Sequence, residues 1–370
     1  MNLFVLSELN PANKHVGWSV SFSLESTLAN VCAPTFIYPS FNANVPLLDH
    51  SKVPDGRGNF LLRCQHRLFK SWYQIEELPT LPQGQNVLLV VGLSPRFMLS
   101  IHALGPLLKQ FDLCLGYILD GFDPHHLDST LTDKFDHLFV IGSELAEDVQ
   151  RIQGIPTSFL PLATHMLGQE INLRHRWIDI INYGRGNAEF NRLLQAHFSQ
   201  PGSDRLYYHS TFSQGEVYDL GEHVSQLKNL LNQAKISMCF EASSTPRFMG
   251  YSPILYRWFE AWAAGCTIVG KKPTGRGVAD LMQWEDSAID LPDAPSEWVP
   301  FLEDLLADEA TLQRNAERNY HEALLQHDWR YRIRDMFNTV GLETPEILDE
   351  QIKLLRRKAY GMIPSVPLSA

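Results

Sequence analysis

Asn86-Val-Leu-Leu-Val-Val91 is a near-continuous apolar run, closed by Gly92-Leu-Ser-Pro95. A strand with one wet face alternates apolar and polar side chains. A run without alternation suits a strand covered on both faces, as in a parallel sheet. Helical spacing follows at Met98–Leu108, then a second apolar run, Leu113–Leu119, ended by Asp120-Gly121. His137–Ile141 reads as the next strand, Glu144–Gln153 as a helix capped by Ser143, and Ser158–Leu162 as a short strand. Upstream, Leu3–Leu6 and Thr35–Tyr38 read as strands on either side of a helical stretch at Trp18–Ala29. Residues 39–83 hold many Gly, Pro and Asn turns and show no clear period. Strands alternating with helices imply right-handed crossovers and a parallel sheet with helices on both faces.

The alternation stalls at Ala163–Arg176, a polar stretch with two histidines and two arginines, and then restarts. Ile178–Asn182, Arg205–His209, Ile236–Phe240 and Thr267–Val269 read as strands, separated by helices at Ala188–His197, Val224–Ala234 and Ile254–Ala264. The rear of the chain is helical at Trp298–Leu306, Glu309–Leu325, Asp328–Phe337 and Pro345–Lys358, ahead of a Pro- and Ser-rich tail. A chain of 370 residues exceeds one ordinary core. The expectation is therefore an α/β protein with two doubly wound, Rossmann-like domains facing a cleft, at 1–168 and 169–340. A C-terminal helix and tail at 341–370 complete the expected layout.

A formal net charge of -11, with no long basic run, disfavours a nucleic-acid partner. Five scattered cysteines with no C-x-x-C pair read as free thiols in a reducing compartment. Glu8 and Lys14 interrupt the apolar N-terminus too soon for a signal peptide, and no apolar stretch is long enough to span a bilayer. The expected location is the cytoplasm, with contact to a membrane surface left open.

Parallel sheets bind ligands at the carboxyl ends of their strands, so the residues just past each strand carry the functional reading. Asn182-Tyr-Gly184-Arg185-Gly186 ends the first strand of the second half; its glycines let backbone approach a ligand, and the Arg185 fork suits phosphate. An ordinary Gly turn is the other reading. Glu241–Ser252 is a Gly/Ser/Pro loop leading to a helix from Pro253, whose first-turn N–H groups form an anion site with Ser252 as a candidate cap. In that helix Glu260 lies among apolar residues and needs a partner if buried. Arg257, three residues earlier, is one candidate, and a bound ribose is another. In the first half, Gly92–Pro95 and Asp120-Gly-Phe-Asp-Pro-His-His126 follow strands. Asp120 stands where a general base facing a cleft would sit, whereas Asp123 reads as turn chemistry. His125 and His126 are adjacent rather than at helical metal spacing, so no zinc site is expected.

Taken in order, these segments resemble the GT-B-fold glycosyltransferases, especially retaining family 4 and the spore-maturation-like group. The likeness spans roughly 85–335 and rests on Phe135–His165, Tyr183-Gly-Arg185, Tyr251–Gly265 with its Glu260-Ala-Trp-Ala-Ala-Gly265 core, and His327-Asp-Trp-Arg330. The resemblance implies transfer of a sugar, a hexose first, from a nucleoside diphosphate sugar to an acceptor hydroxyl. Glu260 would hold the donor ribose; Gly184, Arg185, Tyr251, Ser252 and Pro253 would hold the diphosphate. Asp120 would be the base if the reaction inverts and would only orient the acceptor if it retains, both outcomes being left open, with Gly92, Ser94 and His125 on the acceptor side. Two departures stand out: Ser252 occupies the place of a second family glutamate, and the lysine after the arginine is missing. No Asp-x-Asp motif is present, so neither metal nor cofactor is expected beyond the co-substrate. The acceptor, a glycan, lipid or small molecule, is left open. The rivals are an inactive nucleotide-sugar-binding or scaffold protein, a DNA-modifying glucosyltransferase and a sugar-nucleotide isomerase.

Overall fold

The run at 86–91 forms a strand buried along its whole length in the computed structural model, which describes residues 1–10, 14–41, 72–173, 175–184, 188–210 and 215–362. The described residues form two units. The first gathers Met1–Asn13, Leu28–Leu160 and Pro246–Tyr251; the second gathers Lys14–Thr27, Pro161–Thr245 and Ser252–Ala370.

The first unit contains β1 (Asn2–Ser7), the end of α1 (Ser19–Cys32), β2 (Thr35–Ile37), a short antiparallel pair of β3 (Ser40–Phe41) and β4 (Tyr73–Gln74), β5 (Asn86–Gly92), β6 (Leu113–Ile118), β7 (His137–Val140), α2 (Ser143–Gln153) and β8 (Thr157–Phe159). Six of these strands form a parallel sheet in the order β2-β1-β5-β6-β7-β8. Phe4, Leu6, Leu88, Val90, Ile118, Leu138 and Val140 lie on one side of it in a single apolar cluster with Phe97 and Ile101. The helical segment expected at 98–108 is a series of tight 3-10 turns, Pro95–Gln110, interrupted at Gly105. Gly105 takes a left-handed φ of 53° and Pro106 has no N–H to give, so an α-helix cannot run through. Ser143 does not cap α2: it is the first helical residue, and Gly142 holds the cap position without a side-chain bond.

The second unit repeats the scheme with β9 (Ile178–Asn182), α3 (Ala188–Phe198), β10 (Tyr207–His209), α4 (Leu220–Asn232), β11 (Ala234–Phe240), α5 (Tyr256–Ala263), β12 (Thr267–Lys271) and β13 (Ile289–Asp290). The sheet is again parallel, in the order β10-β9-β11-β12-β13. Behind it come α6 (Trp298–Ala307), α7 (Glu309–Gln326), α8 (Trp329–Thr339) and α9 (Glu346–Gly361).

The stretch 163–176 is polar in sequence because it ties the second unit together. Half-buried Arg176 donates to the carbonyls of Ala234, Ala264 and Gly265 at 2.7–2.9 Å, satisfying the end of α5 and fixing it against the start of β11. His327 is fully buried and stacks on Trp262 of α5 at 5.1 Å. Next to it the buried Asp328 carboxylate accepts from Arg330 at 2.9 Å and from the Met166 N–H at 2.7 Å. The His-Asp-Trp-Arg element is thus a staple behind α5.

Strand β12 packs so closely on β11 that a Cβ at Gly270 would meet the Cys239 carbonyl oxygen at 1.8 Å. Backbone cannot yield as a flexible side chain can. Gly270→Ala is expected to destabilise the protein by about 3 kcal/mol, which by differential scanning fluorimetry lowers Tm by roughly 6–12 °C.

Candidate functional site

In the second unit β10 lies on one side of β9 and β11 on the other, so the chain reverses its direction of travel across the sheet at β9. Loops leaving the carboxyl ends of β9 and β11 diverge there, and that gap is the usual ligand position of an open parallel sheet. Tyr183-Gly184 leaves β9 at this point and Glu241 leaves β11.

Glu260 is drawn to the same place. Its carboxylate accepts a hydrogen bond from the Tyr183 hydroxyl at 3.1 Å, and that hydroxyl also lies 3.1 Å from the Arg257 carbonyl. Burial lifts the Glu260 pKa to about 7, against the smaller opposing pull of the Tyr183 hydrogen bond and the Arg257 charge. Arg257 acts on Glu260 through space. Its guanidinium lies over the Tyr183 ring, 5.7 Å from the ring centre, and one of its nitrogens lies 2.9 Å from where a Gly184 Cβ would project. Gly184 adopts a φ of 76°, and its missing side chain leaves room for that cation. Its N–H is taken up by the Ser210 hydroxyl at 3.0 Å. Arg185 lies outside the described residues. A cation nevertheless stands at the turn, delivered from α5, and the sequence reading weighed Arg257 only as a partner for Glu260. The space recorded beside Glu260, shared with Lys228, His165 and Tyr256, is about 50 Å³, room for one or two waters.

Ser252 does not cap α5, which begins at Tyr256 after an uncapped Leu255 and leaves Pro253 outside the first turn. Ser252 is buried; its hydroxyl donates to Glu241 at 3.0 Å and accepts the Thr274 N–H at 3.0 Å. Glu241 also accepts from the Ser243 hydroxyl at 2.8 Å and the Ser243 N–H at 2.6 Å. Burial works against its charge, but the Ser243 and Ser252 hydrogen bonds and nearby Lys271 outweigh it and hold the pKa below the usual carboxylate value. A charged carboxylate thus adjoins the position where the family pattern would place one, from a residue 11 positions earlier. Glu241 is a site candidate that spacing could not reveal.

Tyr251 does not join this set. It sits in the first unit, packed on that unit's apolar cluster, with its hydroxyl on Asp148 at 2.6 Å. Asp120 follows β6 and forms an ion pair with Arg247 at 3.2 Å while accepting the Gly121 N–H. His125 is exposed in the 3-10 turn Pro124–His126, whose cap is the Asp123 side chain. Gly92 and Ser94 do meet at one place, at the carboxyl end of β5. They share it with Glu8, which follows β1 and accepts the Leu93 N–H at 2.6 Å. Among the described residues no group of three or more His, Cys, Asp or Glu is placed to hold a metal ion.

Residues 188–338 match a family model described as glycosyl transferase-like. The chain carries a glycosyl transferase-like segment within a GT-B fold. An alpha-glucosyltransferase solved with UDP and a 13-mer DNA aligns over 92% of this chain and 100% of its own at a TM-score of 0.51 and 9% identity. TarM of S. aureus, solved with UDP, aligns over 68% of this chain at a TM-score of 0.45 and 8% identity, and the chain spans 55% of its length. At 9% identity the likeness to the alpha-glucosyltransferase bears on the fold alone, the two parallel-sheet α/β architecture. No curated protein matches the sequence. No helix among the described residues is long and apolar enough to cross a membrane.

The Glu260 pKa yields a measurable slope. Its folded value of about 7 lies above the ordinary 4.5, so the folded state holds the extra proton between those values. Its contribution is therefore present at low pH and is lost as pH rises from about 4.5 to 7, by about 3 kcal/mol at most. Chemical denaturation of Glu260→Gln across pH 4.5–8 is expected to show a flatter profile than the wild type, with the two converging toward the acid end.

Proposed function

We propose that the chain is a hexosyltransferase of the family 4 or spore-maturation-like kind, moving a sugar from a nucleoside diphosphate sugar to an acceptor hydroxyl. The observation that carries this reading is the convergence of Glu260, Tyr183 and the Arg257 guanidinium on the Gly184 turn at the reversal point of the second sheet. That arrangement offers what the donor half of a nucleoside diphosphate sugar needs. A carboxylate accepts the ribose hydroxyls, and a fixed cation lies beside a glycine turn that the diphosphate can approach. Arg257 meets the negative charge that grows on the departing diphosphate; fixed charge placed where charge develops is usually the largest catalytic contribution. Glu241 anchors the loop through Ser243 and Ser252 and so shapes the same gap. The reading needs no metal, because protein cations supply the leaving-group stabilisation.

Ribose hydroxyls donating to Glu260 stabilise its charged form, so nucleotide binding releases a proton when pH lies near or below about 7. Isothermal titration calorimetry with UDP, GDP and dTDP in buffers of different ionisation enthalpy measures that release. Glu260→Ala is expected to weaken the preferred nucleotide by about 10–100-fold, the span of a hydrogen bond to a charged group. Arg257→Gln is expected to weaken the diphosphate while sparing the nucleoside. Absence of binding by all three nucleotides would sink the transferase reading.

Two rivals separate in the same experiments. A scaffold binds nucleotide without turning over any UDP-, GDP- or dTDP-sugar. A DNA-modifying enzyme, the activity suggested by the DNA-bound alpha-glucosyltransferase, retains duplex DNA in a salt-sensitive way; the net charge of -11 argues against it. Turnover is expected to survive EDTA unchanged. A rate lost to EDTA and restored by Mg²⁺ or Mn²⁺ would overturn the metal-free reading.

A further inference from the structure

The second sheet carries a further opening at its other end. Trp177 immediately precedes β9 and Gln233 immediately precedes β11, and the two strands lie side by side. At their amino ends, away from the Gly184 turn, Glu170–Asn172 and Trp177 on one side and α4 on the other line an open groove of about 610 Å³. That size falls in the range of small-molecule sites, about 300–1000 Å³. All of its described lining belongs to the second unit.

The walls are fixed by the backbone around them. The Ile178 N–H donates to the Gln233 carbonyl at 2.9 Å, and Arg176 holds the Ala234 carbonyl at 2.7 Å, so Trp177 is clamped from both sides along the chain. Ile178 is buried, and Trp177 before it stays 58% exposed. A lone exposed aromatic needs no explanation. This one shares its groove with a helix wall of amides. Gln226, Asn229, Leu230 and Gln233 recur at i, i+3, i+4 and i+7, one face of α4 and its cap, while Leu227 and Leu231 are buried.

Much of the hydrogen-bonding capacity of that wall is unspent. Among the described residues Gln226 uses only its NH2, on Glu222 at 2.9 Å, and Gln233 only its oxygen, which accepts from Asn172 at 3.2 Å. The Asn229 side chain has no hydrogen bond among them. Glu170 is the one charged residue of the described lining, and Lys358 pairs with it at 2.7 Å. A phosphorylated ligand therefore meets an acid and no unpaired cation there. An apolar protein segment would match Trp177 but strip water from the amides without replacing it, which is costly. A sugar hydroxyl both donates and accepts, as an amide does. The C–H groups on the flat side of a sugar ring carry slight positive charge and suit the negative face of an indole.

We propose that the groove at the amino ends of β9 and β11 binds a neutral oligosaccharide, with Trp177 stacked on one sugar ring and Gln226, Asn229 and Gln233 sharing hydrogen bonds with its hydroxyls. The site lies at the opposite end of the strands from the donor gap and does not depend on the transferase reading.

The test applies the full chain to an array of immobilised neutral and acidic oligosaccharides that includes maltohexaose, cellohexaose, chitohexaose and mannohexaose, and then titrates the retained sugars in solution by calorimetry. The wild type is expected to retain at least one neutral oligosaccharide. Trp177→Ala is expected to weaken it about 30-fold, as loss of an aromatic anchor does, whereas Trp177→Phe, which keeps a ring, retains most of the affinity. Asn229→Ala is expected to weaken it about fivefold and to leave Tm unchanged, since its side chain is exposed; it carries the test if Trp177→Ala fails to fold. Retention of no neutral oligosaccharide overturns the proposal, and so does binding that neither Trp177→Ala nor Asn229→Ala weakens. Sedimentation showing a self-association that Trp177→Ala removes also overturns it, because the groove is then an interface between copies of the chain.

Discussion

A hydrogen bond of 3.1 Å from Tyr183 to Glu260 joins the end of β9 to the middle of α5, and the candidate donor site is arranged around it. An unpaired carboxylate would not persist in that position, because burial already lifts its pKa to about 7. The hydroxyl satisfies one oxygen and keeps the acid oriented toward the strand ends. The same tyrosine ring lies beneath the Arg257 guanidinium, so one aromatic side chain orients both the carboxylate and the cation of the site.

The remainder of the second unit holds that pair in register. Arg176 closes the carbonyls at the end of α5, and the His327–Trp262 stack fills the space behind the helix. Asp328 binds Arg330 and the Met166 N–H, tying the last helices to the segment that opens the unit. These polar contacts hold the end of α5 and the space behind it. A change there reaches the site by displacing Glu260 and Arg257 together. The first unit uses the same device more simply, with a carboxylate after the first strand held by the turn after its neighbour. Each sheet thus reverses at a point where a glutamate stands whose pKa burial raises, Glu260 in one and Glu8 in the other.

Much of the architecture was legible along the chain because parallel strands announce themselves. Strands covered on both faces must be apolar at nearly every position, and 86–92 and 178–182 are buried throughout. The doubled order of strand and helix followed from the same constraint, and so did the helical rear. Local detail was less legible. Ser143 and Ser252 looked like helix caps, but a cap depends on where the backbone enters the helix, and a loop a few residues longer or shorter moves it. Ser252 turned inward to Glu241 instead. The 3-10 turns at 95–110 could not be told from an α-helix by apolar spacing, since 3.0 and 3.6 residues per turn diverge little over so short a stretch.

The sequence by itself determined the two parallel sheets and Glu260 as an acid in need of a partner. These follow from hydrophobic period and composition, which are properties of neighbours along the chain. Only the tertiary structure decided which partner each acid took. Glu260 met Tyr183, 77 positions away, and Glu8 met the Leu93 N–H, 85 positions away. Arg257, weighed as one candidate partner for Glu260, lies beside Gly184. Such pairings depend on the order of strands within a sheet, and that order is set by crossovers that no local period records.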